Sequence, residues 1–266
     1  MIRPVFIFLS LLLAIPNFIK KDINAQIPYD NKEKYIPELS SINSIEKLEK
    51  YVDDSASALH IEQHSPEYAL LLSNAISNRF YHGFSHWKLN ENWIAAVGEK
   101  ITGIGLSCKV EPEVMLVHPN AACSQQALVM MNILEKKHIN YRKVGFPHHY
   151  AIETNSGNGW YYFDPNMEPA MTLPQRKEES WKGMNDSLKQ FYSAQKHINI
   201  SYQFGNNLPA VFGPVNEHPA KHVLLFQKIT AVLSKILWII PLVLLFFKWP
   251  SFLFKQRSVV PAGPKN

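Results

Sequence analysis

The chain has 266 residues, enough for one good-sized domain with appendages, and a formal net charge of +5. That charge does not point to nucleic acid: residues 27–222 hold 18 Lys/Arg against 21 Asp/Glu, a net of −3, so the basic excess sits at the two ends and not on the domain. Two cysteines, Cys108 and Cys123, allow either a disulfide in an oxidising compartment or a free nucleophile.

Residues 1–25 read as a secretory signal peptide, with an uncleaved N-terminal anchor as the alternative. Arg3 precedes an apolar stretch from Val5 to Ile15, which is closed by Pro16. Asn24-Ala25-Gln26 offers a cleavage site, although Ile23 fits the small-residue rule poorly. From Ile27 to about residue 40 the chain is polar and contains proline, a spacer ahead of the domain expected over residues 27–215. Asn43-Ser44-Ile45-Glu46 marks a helix start, with Leu48, Tyr51 and Val52 as its apolar stripe. Ser65-Pro66-Glu67 is a sharper one: an N-cap serine, a proline at the first helical position and an acid in the first turn. That helix carries Tyr68, Leu71, Leu72, Ala75 and Ile76 and is predicted to end near Arg79. The aromatic stretch from Arg79 to Trp87 reads as core plus turn, or as the wall of a substrate cleft, and another helix is predicted over residues 91–101.

From Ala121 the pattern becomes a helix followed by strands. Cys123, Ala127, Met130, Met131 and Leu134 line one helical face that runs to Lys136-Lys137-His138. Cys123 therefore falls in the first turn, where the helix dipole and unpaired amides favour a thiolate. Three strands are predicted, over residues 139–146, 149–154 and 160–164. A turn centred on Ser156-Gly157 would set His149 opposite Asp164, with Cβ atoms about 5 Å apart. A turn centred on Asn158-Gly159 would set Glu153 opposite Asp164 instead.

The C-terminal region reads as a membrane segment over residues 229–254. Ile229 to Phe247 contains one charge, Lys235, and a crossing helix needs about 20 apolar residues. Pro241 would kink it, and a helix docked on the domain is the alternative. Lys248, Lys255, Arg257 and Lys265 then predict a short cytoplasmic tail over residues 255–266, with the domain on the extracytoplasmic or periplasmic side of the membrane.

A thiol at a helix start, a histidine strand and an aspartate strand are the layout of a cysteine nucleophile with its base and orienter. The residues are Cys123, His149 and Asp164, within His149-Tyr150-Ala151-Ile152-Glu153 and Trp160-Tyr161-Tyr162-Phe163-Asp164-Pro165. The segment from Ala122 to Pro165 resembles the core of the transglutaminase-like superfamily, whose pattern is a helix-start cysteine, a His-x-x-x-Glu strand and an aromatic strand ending in Asp-Pro. The resemblance covers about 45 residues. It implies an α+β, papain-like core behind a helical N-terminal half. It also implies cysteine-dependent acyl transfer or hydrolysis on a peptide or amide, with a peptide or protein substrate and no cofactor. Ala121-Ala122 depart from the family pattern before the cysteine, which leaves the oxyanion-hole residues unassigned. A catalytically silent binding or assembly module at the cell envelope is the competing reading. It would be favoured by a Cys108–Cys123 bridge, since a disulfide sulfur is no thiolate. His148 points to the opposite strand face from His149, Glu153 supports the fold or rim, and Asp164 with Pro165 also suits a simple turn. His60/His64 and His82/His86 are spaced four apart, but no metal-binding motif surrounds them, so no metal site is assigned.

Overall fold

The computed structural model describes residues 2–24, 27–192 and 198–246. Helix α1 (Ile2–Ala14) leads through a 3-10 turn at Ile15–Phe18 into an extended segment. Three longer helices follow: α2 (Ile45–Ala58), α3 (Pro66–Arg79) and α4 (Leu89–Thr102). The one-turn helix α5 (Pro112–Met115) precedes α6 (Cys123–Lys136), and then come β1 (Asn140–Gly145), β2 (Tyr150–Asn155) and β3 (Trp160–Phe163). Four short helices, α7 (Leu173–Arg176), α8 (Glu178–Trp181), α9 (Asn185–Lys189) and α10 (Ile200–Phe204), lead to strand β4 (Val211–Phe212). Helices α11 (Lys221–Ile236) and α12 (Ile239–Leu244) complete the described chain.

The predicted helix starts form for the chemical reasons given. The Ser44 hydroxyl accepts from the amide of Lys47, and that of Ser65 from the amide of Tyr68, each at 3.2 Å, satisfying donors that have no intrahelical acceptor. Helix α3 ends at Arg79, and α4 stops at Gly103, whose φ of 66° suits a residue without a Cβ.

The four strands form one antiparallel sheet in the order β3-β2-β1-β4. Alternation along the strands divides the core in two. Tyr141, Ile152, Tyr161 and Phe163 face α2, α3 and α6, packing with Leu48, Leu72 and Met130. Val144, Ala151 and Tyr162 face the other way, toward Trp181, Leu188 and Phe204. Helix α6 is thus held against one sheet face with its N-terminus beside the start of β2.

Two sequence expectations need correction. The β2–β3 hairpin adopts neither predicted register: Ile152 pairs with Phe163 and Asn155 with Trp160, around a turn in which Gly157 and Gly159 both have φ of 103°. His149 and Asp164 lie just beyond the paired ends and meet on a diagonal instead of directly opposite one another.

The C-terminal transmembrane helix over residues 229–254 is not found. Helix α11 ends at Ile236, Leu237 and Trp238 form a turn, and α12 covers six residues. No helix among the described residues is long and apolar enough to cross a membrane. Pro241 supplies the reason: it has no N–H to give the carbonyl of Leu237, and its ring crowds that carbonyl. Helix α11 docks on α4, and α12 packs on α1. Residues 247–254 of the expected span, the tail at 255–266, and Ala25-Gln26 of the cleavage site lie outside the described residues.

Candidate active site

Cys123 is the first residue of α6 and is half-buried. The chain just before it is fixed by an unusual glutamine. Gln125 is buried, and its side-chain oxygen accepts from the amides of Ala122 at 3.1 Å and Ser85 at 2.9 Å. Its side-chain nitrogen donates to the carbonyls of Ser85 at 2.9 Å and Lys109 at 2.7 Å. All four hydrogen-bonding positions of the amide are therefore filled. Tyr81 pairs with Asn120, and the amide of Ala121 donates to the Tyr81 carbonyl at 3.1 Å. The aromatic stretch from Arg79 to Trp87 is thereby tied to the chain just before Cys123.

His149 is 5% exposed and precedes β2. Its Nε2 lies 2.7 Å from Oδ2 of Asp164, so Nε2–H is the proton donated to the carboxylate. Nδ1 is the ring nitrogen that the bond to Asp164 leaves available, and Cys123 acts on the same imidazole, favouring its charged form. Phe146 stacks on the ring at 6.1 Å and 16°, and Phe204 closes it at 5.3 Å, excluding water from its flanks.

Asp164 is fully buried and has no lone pair to spare. Oδ1 accepts from the amides of Asn166 at 3.1 Å and Met167 at 3.0 Å, while Oδ2 accepts from Tyr192 Oη at 2.7 Å as well as from His149. The Tyr192 hydroxyl is itself 2.8 Å from that of Tyr162. Burial would raise the Asp164 pKa, yet His149 and these donors hold it below the usual carboxylate value. Burial likewise opposes a charge on His149, but Asp164 and then Cys123 outweigh it and raise the imidazole to about 10. The hydrogen bond to Asp164 is thus the geometric feature that favours a charged imidazole in this buried position. Beside His149 a cavity of about 230 Å³ opens, lined in part by Ser77, Phe80, His82, Asn166 and Met167.

Cys123, His149 and Asp164 are brought together; the other residues weighed from sequence are not part of this cluster. His148 is exposed and stacks on Tyr202 at 4.0 Å. Glu153 is buried away from the thiol, accepting two hydrogen bonds from Arg142 at 2.9 and 2.7 Å, and burial raises its pKa to about 7 despite that partner. Both cysteines are free. Cys108 lies 3.8 Å from His86 Nδ1. Among the described residues no group of three or more His, Cys, Asp or Glu is arranged to hold a metal ion. Sequence reasoning missed Tyr192, 28 positions beyond Asp164, and Gln125; neither sits in a pattern that sets it apart from an ordinary core residue.

No family model, no curated protein and no solved structure matches the chain.

Proposed function

We propose that the protein is a cysteine-dependent acyl-transfer enzyme of transglutaminase-like type, acting on a peptide or amide. The observation that carries this reading is the 2.7 Å hydrogen bond from His149 to a fully buried Asp164. Cys123 Sγ attacks the carbonyl carbon, and the sulfur proton resides on Nδ1 of His149. The C–N bond then breaks, the proton passes to the departing amine, and a thioester remains. Water or a primary amine attacks the thioester, gives its proton to His149 and releases the Cys123 thiolate, which restores the starting pair. Asp164 holds the imidazole tautomer and stabilises its cation throughout. The first amides of α6 lack intrahelical acceptors and are the natural donors to the carbonyl oxygen as it becomes an oxyanion.

Incubating the full chain with short glutamine-containing peptides, with and without a primary amine, tests the proposal by mass spectrometry. Hydrolysed or amine-modified peptide is expected with the wild type and not with Cys123→Ala. Silence from both, together with iodoacetamide labelling of Cys123 no faster than that of Cys108, would overturn the enzyme reading in favour of the silent binding module.

A further inference from the structure

Helices α1 and α11 are built inside out. In α11 the buried side chains are Gln227, Thr230 and Ser234, which share one face. That face is bonded to the domain. Asn92 Nδ2 donates to Thr230 Oγ1 at 2.9 Å, Trp93 Nε1 to the Ser234 carbonyl at 3.1 Å, and Gln227 Nε2 to the carbonyl of Cys108 at 2.7 Å. The opposite face is apolar and exposed: Leu225 at 59%, Ile229 at 51% and Val232 at 60%. Helix α1 repeats the pattern, with Ser10 buried and Val5, Phe8, Leu11 and Leu12 each more than half exposed. A helix on a water-facing surface turns its apolar stripe inward, so both helices are oriented for an outer medium less polar than water.

The two faces join. Helix α1 packs against α12, which continues the exposed surface with Ile240 and Val243. The groove between them is lined by Ile7, Leu11, Phe18, Trp238 and Leu242, with Lys235 at its edge. A contiguous apolar surface of this kind marks a docking site.

Charge selects the occupant. Residues 2–21 and 218–246 contain no Asp or Glu, but they carry Arg3, Lys20, Lys21, Lys221, Lys228 and Lys235. A second copy would bring like charges together. Lys221 and Lys228 are paired with Glu217 and Glu111, and an anionic headgroup layer complements the remaining cations; lysines bordering apolar and tryptophan side chains are the composition of helices that lie at a bilayer surface.

We propose that the joined faces of α1, α11 and α12 dock on an anionic lipid bilayer, with their apolar side chains at the boundary between headgroups and acyl chains. This is a property of the surface as a whole and is independent of the cysteine chemistry.

Flotation of the full chain with vesicles of equal phosphatidylcholine and phosphatidylglycerol tests it. The wild type is expected to float, and to float less with phosphatidylcholine alone. The double variant Phe8→Glu/Ile240→Glu is expected to lose at least about ten-fold of the bound fraction. Leu59→Glu, at a residue 62% exposed beyond the end of α2, is expected to bind as the wild type does. The urea unfolding midpoint reports whether each variant is folded. A wild type that stays with the soluble fraction, or a double variant that floats equally well, would overturn the proposal. So would a lipid-free dimer that the double variant splits, which would assign the surface to a second copy.

Discussion

The molecule contains two thiol–imidazole pairs, and they are opposites. At Cys108–His86 the sulfur is 3.8 Å from Nδ1, and that nitrogen is also 3.0 Å from the Ser107 hydroxyl. Burial pushes the Cys108 thiol up to about 12, with Glu99 and Asp22 adding to it, and burial lowers the His86 imidazole. At Cys123–His149 burial is again the largest influence on the histidine, yet the imidazole is raised to about 10. The difference lies in where the carboxylate sits. Asp164 is hydrogen-bonded to the His149 imidazole and outweighs burial there, whereas Glu99 and Asp22, which also favour the His86 cation, do not outweigh burial and in addition penalise the Cys108 anion. Proximity of sulfur and nitrogen does not by itself charge an imidazole; the third group does.

Deleting the sulfur is the strongest way to sharpen that contrast. Cys123→Ala is expected to abolish peptide turnover while leaving the urea unfolding midpoint nearly unchanged, because the residue is half-buried at a helix end. Next in size, Asp164→Asn is expected to slow turnover by about 10³-fold, since an amide nitrogen in place of Oδ2 donates to His149 Nε2, fixes the other tautomer and stabilises no cation. A rate within a factor of three of wild type would show that the two pairs do not differ for the reason given.

Tyr192→Phe removes one donor from Oδ2 of Asp164 and the partner of the Tyr162 hydroxyl. A loss of about 1–2 kcal/mol in transition-state stabilisation, or about 5–30-fold in kcat/KM, is expected. The pH dependence has a definite sign. The folded pKa of His149 lies above its ordinary 6.5, at about 10, so its contribution to stability is complete below about 6.5 and is lost as pH rises through about 10. The stability difference between wild type and His149→Gln, measured by urea titration, should accordingly shrink across that window; a difference that grows with pH would contradict the assignment. Cys108→Ser should have the smallest effect, with turnover within about two-fold of wild type, since the Cys108 thiol is held protonated.

Local chemistry made much of the site legible in the sequence. Ser44 and Ser65 cap helices because a serine oxygen accepts the amides that a helix start leaves unpaired, and that interaction spans only three residues. Cys123 at the start of an apolar-periodic helix, with His149 and Asp164 near strand ends, followed from spacings of the same short range. The hairpin register did not, because the glycine-rich turn permits several registers and packing on both sheet faces chose among them. Tyr192 and Gln125 were also hidden: their roles depend on what the fold brings to them from Asp164 in one case and from Ser85 and Lys109 in the other.

The C-terminal apolar run shows the same limit from the other side. Hydropathy averages over a window and registers only that residues 229–247 are apolar. It does not see that Gln227, Thr230 and Ser234 share one face, or that Asn92 and Trp93 wait on α4 to bond them. By itself the sequence determined the capped starts of α2 and α3, the helix that begins at Cys123, the three strands after it and the order of the three site residues, because each depends on interactions within a few residues of chain. The tertiary structure decided the strand register, the carboxylate that charges one imidazole and not the other, and the inverted face of α11, because each depends on groups dozens of residues apart competing for the same few hydrogen bonds.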